Sequence, residues 1–259
     1  MCIRDSFSIE LLSILKRLGK KACFVIKNHN LTEDENKLLS KYGAVFTSSN
    51  RSDSIKLAHE NGFDVAIMDD GFQNPAIHKD ISILVIDGET GFGNGQIIPA
   101  GPLREPVAEG LSRADAALII GNDAHGLSTS MEYSLSKNFK ILRAHLTPVT
   151  SVEELKGKRV FAFAGIGRPK KFFHTLKTIG CLIIGTAEFP DHHAYTVDEI
   201  NDLLTKANHM NATLVTTSKD QTRLDKTIAK KVTEIPVYLE WEDCSALEKL
   251  FEPILPDLS

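Results

Sequence analysis

Short apolar runs alternate with stretches of helical periodicity along most of the chain. Strand-like runs fall at residues 22–26, 44–47, 64–68, 81–86 and 116–120, and helical patterns at 8–18, 33–42 and 52–61. Gly19 and Gly62 close the first and third helical patterns, as glycines past a helix end do. A second series begins near Arg159, with apolar runs at 160–164, 181–186 and 212–216 separated by helical patterns at 169–179 and 196–207. Parallel βα units produce this alternation, and sandwiches or helix bundles do not. The fold class expected is therefore α/β, with a larger first domain over residues 1–142 and a smaller α/β domain over 143–259. The segment 141–158 contains Pro148 and an extended stretch at 141–146, which is expected to pair with 237–241 as a two-stranded connector. No internal repeat and no low-complexity tract interrupts the pattern.

With 259 residues, 42% hydrophobic and 25% charged, the chain has the balance of a globular protein with a sizeable core. A formal net charge of −4 provides no overall attraction to nucleic acid, so a nucleic-acid partner is not expected. Cys2, Cys23, Cys181 and Cys244 are scattered, with no CxxC pair and no disulfide-like rhythm. No run reaches the roughly 18 apolar residues of a spanning helix, so membrane contact is expected to be peripheral. The opening helix carries Leu11, Leu12, Ile14, Leu15 and Leu18 beside Lys16, Arg17, Lys20 and Lys21. That pattern fits either a core-facing helix or one lying on a membrane surface.

The chemistry concentrates in residues 64–106, DVAIMDDGFQNPAIHKDISILVIDGETGFGNGQIIPAGPLREP. An apolar run ends there in Asp69 and Asp70, an arrangement that holds Mg²⁺ at the carboxyl end of a parallel sheet in nucleotide enzymes. Taken alone, the pair reads equally as a solvated strand end before a turn at Gly71. The glycine-rich continuation lets backbone N–H groups approach an anion, and Arg104 beside Glu105 can grip a phosphate.

These residues, with SRADAALIIG, FAGIGRPKKFF, FPDHHAYT and LVTTSKDQTRL further on, resemble the tetraacyldisaccharide 4'-kinase family of Gram-negative bacteria over about residues 20 to 240. The resemblance implies a P-loop NTPase-like parallel-sheet domain, ATP and Mg²⁺, and phosphorylation of the 4'-hydroxyl of a tetraacyl glucosamine disaccharide 1-phosphate in lipid A biosynthesis. It also implies a peripheral location at the cytoplasmic face of the inner membrane and an acylated glycolipid partner. Asp69 and Asp70 are then the metal ligands, and Gln73, Arg104, Glu105 and Lys219 contact the nucleotide or its phosphates, with Asn94 supporting the loop. An Asp–His base pair falls on Asp34 with His192, His193 being its neighbour in the same segment. Because Asp34 belongs to the first series and His192 to the second, the pair is expected to form only on domain closure over substrate.

The chain departs from the family in four places. Between Ile26 and Glu33, in the run KNHNLTEDENKLL, it is shorter than the family's stretch and without its glycines, and Asp34 and Glu35 are aligned with the family's Asp-Glu by the downstream spacing of Leu38 and Leu39. Asn74 stands where the family often has His, and Ser218 where it often has Glu. No glycine precedes Gly19, so no loop ending in Lys-Ser/Thr precedes the first helix. Residues 1–6, MCIRDS, are expected to be foreign sequence on a shortened reading frame. The other readings are a non-catalytic relative that keeps the fold as a binding module, and a different P-loop enzyme with a soluble substrate.

Overall fold

The computed structural model describes residues 3–27, 33–134, 139–149 and 154–252. Its first helix, α1 (Ile3–Arg17), turns Phe7, Leu11, Leu12, Ile14 and Leu15 inward. Strand β1 (Ala22–Lys27) is buried along five of its six residues, as a strand covered on both faces must be. It lies between β2 (Val45–Ser48) and β3 (Val65–Met68), parallel to both. Helices α2 (Glu33–Leu39) and α3 (Arg51–Glu60) make the crossovers, and Asn50 caps α3 by accepting from the N–H of Ser52.

The strands that follow form a second sheet. Strands β4 (Ile83–Asp87), β5 (Ala116–Ile120) and β6 (Lys140–Pro148) run parallel, with short helices α4 (Val107–Ser112) and α5 (Leu127–Ser134) between them. One hydrophobic cluster joins this sheet to the first: Leu12 and Leu15 of α1 meet Phe24 of β1, Leu118 of β5 and Leu142 of β6. The first series thus makes two sheets under one helix, where the sequence suggested one.

The second unit is a parallel sheet of order β10-β9-β7-β8, built from β7 (Arg159–Ala164), β8 (Leu182–Glu188), β9 (Thr213–Thr217) and β10 (Thr233–Ile235). Helices α6 (Pro169–Ile179) and α7 (Val197–His209) bury Leu176 and Ile200. The short α8 (Ser218–Gln221) and α9 (Lys226–Ala229) follow β9. Strand β11 (Val237–Trp241) then pairs antiparallel with β6, from Val237 opposite Pro148 to Trp241 opposite Ala144. The two segments pair as expected, but as part of the four-stranded sheet β11-β6-β5-β4 and not as a separate two-stranded connector. Leu239 of β11 and Leu247 and Phe251 of α10 (Cys244–Phe251) join the first unit's core. The expected boundary at 142/143 falls inside β6, whose whole length lies in the first unit's sheet, and the last strand and helix cross back to that unit. Among the described residues, no helix is long and apolar enough to cross a membrane.

Leu118 is fully buried in the cluster that joins the first unit's two sheets. Leu118→Ala is expected to cost about 3 kcal/mol in urea unfolding, against under about 0.5 kcal/mol for Leu57→Ala on the surface. Equal costs would contradict this description of the core.

Candidate functional site

The carboxyl end of β3 turns sharply at Asp69, Asp70 and Gly71. Asp70 has φ +50°, a left-handed conformation that Asp tolerates better than most residues. A Cβ at Gly71 would lie 2.6 Å from the Met68 Cβ, so the turn closes only with glycine there. Arg51 at the start of α3 fixes the turn from outside, its Nη2 donating to the carbonyls of Asp69 and Asp70, each at 3.1 Å.

The two carboxylates face different surroundings. Asp70 Oδ1 accepts from Arg4 Nη1 at 2.6 Å and from Arg104 Nη1 at 2.9 Å. Asp69 is buried, accepts from Ser8 Oγ at 3.3 Å, and converges with Asp5 and Glu35 so that one oxygen of each lies within 4.8 Å of the others. Asp69 and Asp70, expected as joint metal ligands, thus have different partners here. The left-handed backbone at Asp70 sends its side chain toward two guanidinium groups, and Asp69 is left with the acidic trio.

Burial sets the electrostatics of that trio. Both carboxyl oxygens of Asp5 are buried without a hydrogen-bond partner, and its pKa is pushed up to about 7, first by desolvation and then by the charge on Asp69. Glu35 is raised by the same two causes in the same order. Asp69 is raised by burial, with Arg4 opposing. The buried Lys219, at the start of α8, lowers both Asp5 and Glu35, so its ammonium is the local counter-charge.

Around Asp70, several of the residues singled out in the sequence form one chain of contacts. Arg104 Nη1 also reaches Gln73 Oε1 at 3.4 Å, Gln73 Nε2 donates to Glu105 Oε1 at 3.1 Å, and Glu105 pairs with Arg113, which stacks over Phe72. Asn94 lies apart from this chain. Its side chain donates to the Ala100 carbonyl at 2.9 Å and accepts from the Gln96 N–H at 3.1 Å, bracing the glycine loop.

The two histidines have separate partners. His193 Nε2 meets both carboxylate oxygens of Glu199, at 3.1 and 3.2 Å, and its ring lies 4.8 Å from that of Phe189. Glu199 is the N3 residue of a capping box with Thr196 at the start of α7, so His193 braces a helix end. His192 has φ +61° and places Nδ1 3.3 Å from Asp34 Oδ2. The pair thus spans the two units. A second link between the units, Asp87 with Arg168 Nη1 and Lys171 Nζ, each at 3.0 Å, keeps them together at the far side of the crevice.

Sequence reasoning missed Arg51, Arg223 and Asp5. Arg223 ends the motif LVTTSKDQTRL, yet nothing in its spacing points toward Asp34, which lies 189 positions earlier.

A family model described as Tetraacyldisaccharide-1-P 4'-kinase matches residues 21–255. A tetraacyldisaccharide 4'-kinase of Rhodospirillum centenum is 44% identical over 86% of this chain, and one of Paramagnetospirillum magneticum is 45% identical over 85%. The chain spans 65% and 67% of the lengths of those two relatives. In fold, it is similar to LpxK from Aquifex aeolicus, whose crystal structure is described as in complex with ATP. The TM-score is 0.72 over 97% of this chain and 84% of that one, at 24% identity.

The acidic trio carries a testable consequence in the absence of divalent ions. Asp5 titrates near 7 in the folded chain against an ordinary 3.8, so the native state holds the extra proton between those values. The stability this contributes is present below about pH 4 and lost as pH rises through about 7. Asp5→Asn in EDTA is expected to flatten the fall in urea midpoint between about pH 4 and 8, and to gain on the order of 1 kcal/mol or more at pH 8. An unchanged slope would contradict the burial of this carboxyl group.

Proposed function

We propose, since the chain belongs to the tetraacyldisaccharide-1-P 4'-kinase family, that it serves transfer of the ATP γ-phosphoryl group to the 4'-hydroxyl of a tetraacyl glucosamine disaccharide 1-phosphate. The acceptor's acyl chains stay in or near the bilayer, with the protein peripheral at the cytoplasmic face of the inner membrane. The observation that carries this reading is the Asp34–His192 pair standing beside an acidic trio at the carboxyl end of β3. Glu35 links the two, being adjacent to Asp34 and influenced by the charge of His192.

In this reading, His192 Nε2 takes the proton of the acceptor hydroxyl, while Asp34 holds Nδ1 and with it the ring orientation. Asp69 and Glu35 are the residues that would hold Mg²⁺, two hard oxygen donors that converge at the end of β3. Asp5 completes the trio in this chain, but it lies in the segment 1–6 read above as foreign, so it is given no part in the family's chemistry. Bound Mg²⁺ supplies neutralisation of phosphate charge as it develops during transfer. Arg104, steadied by Asp70 and Gln73, offers its remaining N–H groups to the phosphates, and Glu105 holds Gln73 in place. Lys219 offsets the carboxylates next to the nucleotide, and Asn94 keeps the glycine loop in shape.

The test is phosphate transfer from labelled ATP to the disaccharide acceptor in vesicles, using the full-length protein. Asp34→Ala and His192→Ala are each expected to lower kcat by roughly 100-fold or more, and His193→Ala by less than about 10-fold. Parent-like turnover in both of the first two variants would overturn the assignment of the base.

A further inference from the structure

The most constrained side chain in the crevice is one that the reading above leaves unused. Arg223 follows α8 in the second unit, and its side chain is 3% exposed. Nε donates to Asp34 Oδ2 at 2.6 Å, and Nη1 donates to the Gly165 carbonyl at 2.6 Å and to Asp220 Oδ1 at 3.2 Å. Nη2 lies 3.5 Å from His192 Nδ1.

Each of these partners is itself fixed. Asp220 is fully buried and also accepts from the Gly165 N–H at 3.0 Å, the Tyr195 hydroxyl at 2.9 Å and the Thr217 hydroxyl at 2.6 Å. The Gly165 carbonyl that takes Arg223 Nη1 also accepts the backbone N–H of His192 at 3.2 Å. No side chain fits at Gly165, since a Cβ would stand 2.7 Å from the Tyr195 hydroxyl oxygen. Arg223 and the His192 backbone therefore hang from one carbonyl, and both side chains converge on one oxygen of Asp34.

We propose that Arg223 is the positioning residue that holds Asp34 Oδ2 against His192 Nδ1. The inference rests on Asp34 and His192 being the base pair. A guanidinium can only donate, so Asp34 Oδ2 is the shared acceptor for Arg223 Nε–H and for the imidazole proton. With the proton on Nδ1 for the Asp34 contact, the 3.5 Å approach of Arg223 Nη2 to Nδ1 is a contact and not a hydrogen bond, and the Nε2 lone pair, with the Asp191 carboxylate 3.9 Å away, is left to face an acceptor hydroxyl. The planar fork matters as well as the charge. Lysine has one nitrogen on a flexible stem and cannot reach Asp34 and the Gly165 carbonyl together in the same geometry.

Two readouts test this, one of them independent of turnover. Ring ¹⁵N spectra of His192 in this chain, recorded where the imidazole is neutral, are expected to show the Nδ1–H tautomer in the parent. Arg223→Ala and Arg223→Lys are expected to move the ring toward the Nε2–H form. In the full-length protein, Arg223→Ala is expected to lower kcat by roughly 100-fold with KM for both substrates within about 2-fold, as for a displaced catalytic group. Arg223→Lys is expected to keep the fold and recover less than about a tenth of the lost turnover. A ring spectrum unchanged in the folded lysine variant, or parent kcat in either variant, would overturn the proposal. A parent protein that transfers no phosphate to the glycolipid would instead count against the proposed function, and the ring spectra would still decide the role of Arg223.

Discussion

A guanidinium group taken almost wholly out of water needs carboxylates around it, and Arg223 finds one in its own unit and the other across the crevice. That requirement joins the two units at the one place where Asp34 and His192 can meet. The link through Asp87, Arg168 and Lys171 fixes a second point, and two points of attachment restrict hinge motion far more than one. Removing either carboxylate would leave a buried cation short of a partner, which is why such contacts persist once formed.

The first unit meets this arrangement with the opposite charge problem. Asp5, Glu35 and Asp69 are gathered with too few cations to offset them, and burial drives all three toward the protonated form. The crevice therefore carries a satisfied cation on one wall and underneutralised carboxyl groups on the other. A site that must accept a metal ion together with a polyanion benefits from such a division, because the ion supplies the charge that the protein withholds.

Much of this was legible in the residues. Alternating apolar runs marked the α/β class and the position of nearly every strand, because burial on both faces demands continuous apolar sequence. The strand-end carboxylates stood out by their place after an apolar run, and the His192–His193 segment through the family resemblance. The sequence could not divide labour between neighbours. Asp69 and Asp70 differ through a left-handed φ at one residue, and His192 and His193 through a capping box that claims one imidazole. The split of the first series into two sheets was equally hidden, since apolar runs do not say which edges pair. Arg223 was beyond reach for a simpler reason: its partner is 189 positions away, and no local pattern encodes a contact of that range.

The account treats Asp34 and His192 as one working unit, and a double-mutant cycle on turnover addresses that most directly. If the carboxylate acts only through the imidazole, the Asp34→Ala, His192→Ala double variant loses no more activity than the more damaging single change. Losses that multiply would contradict the account, since they would mean that the two side chains act independently.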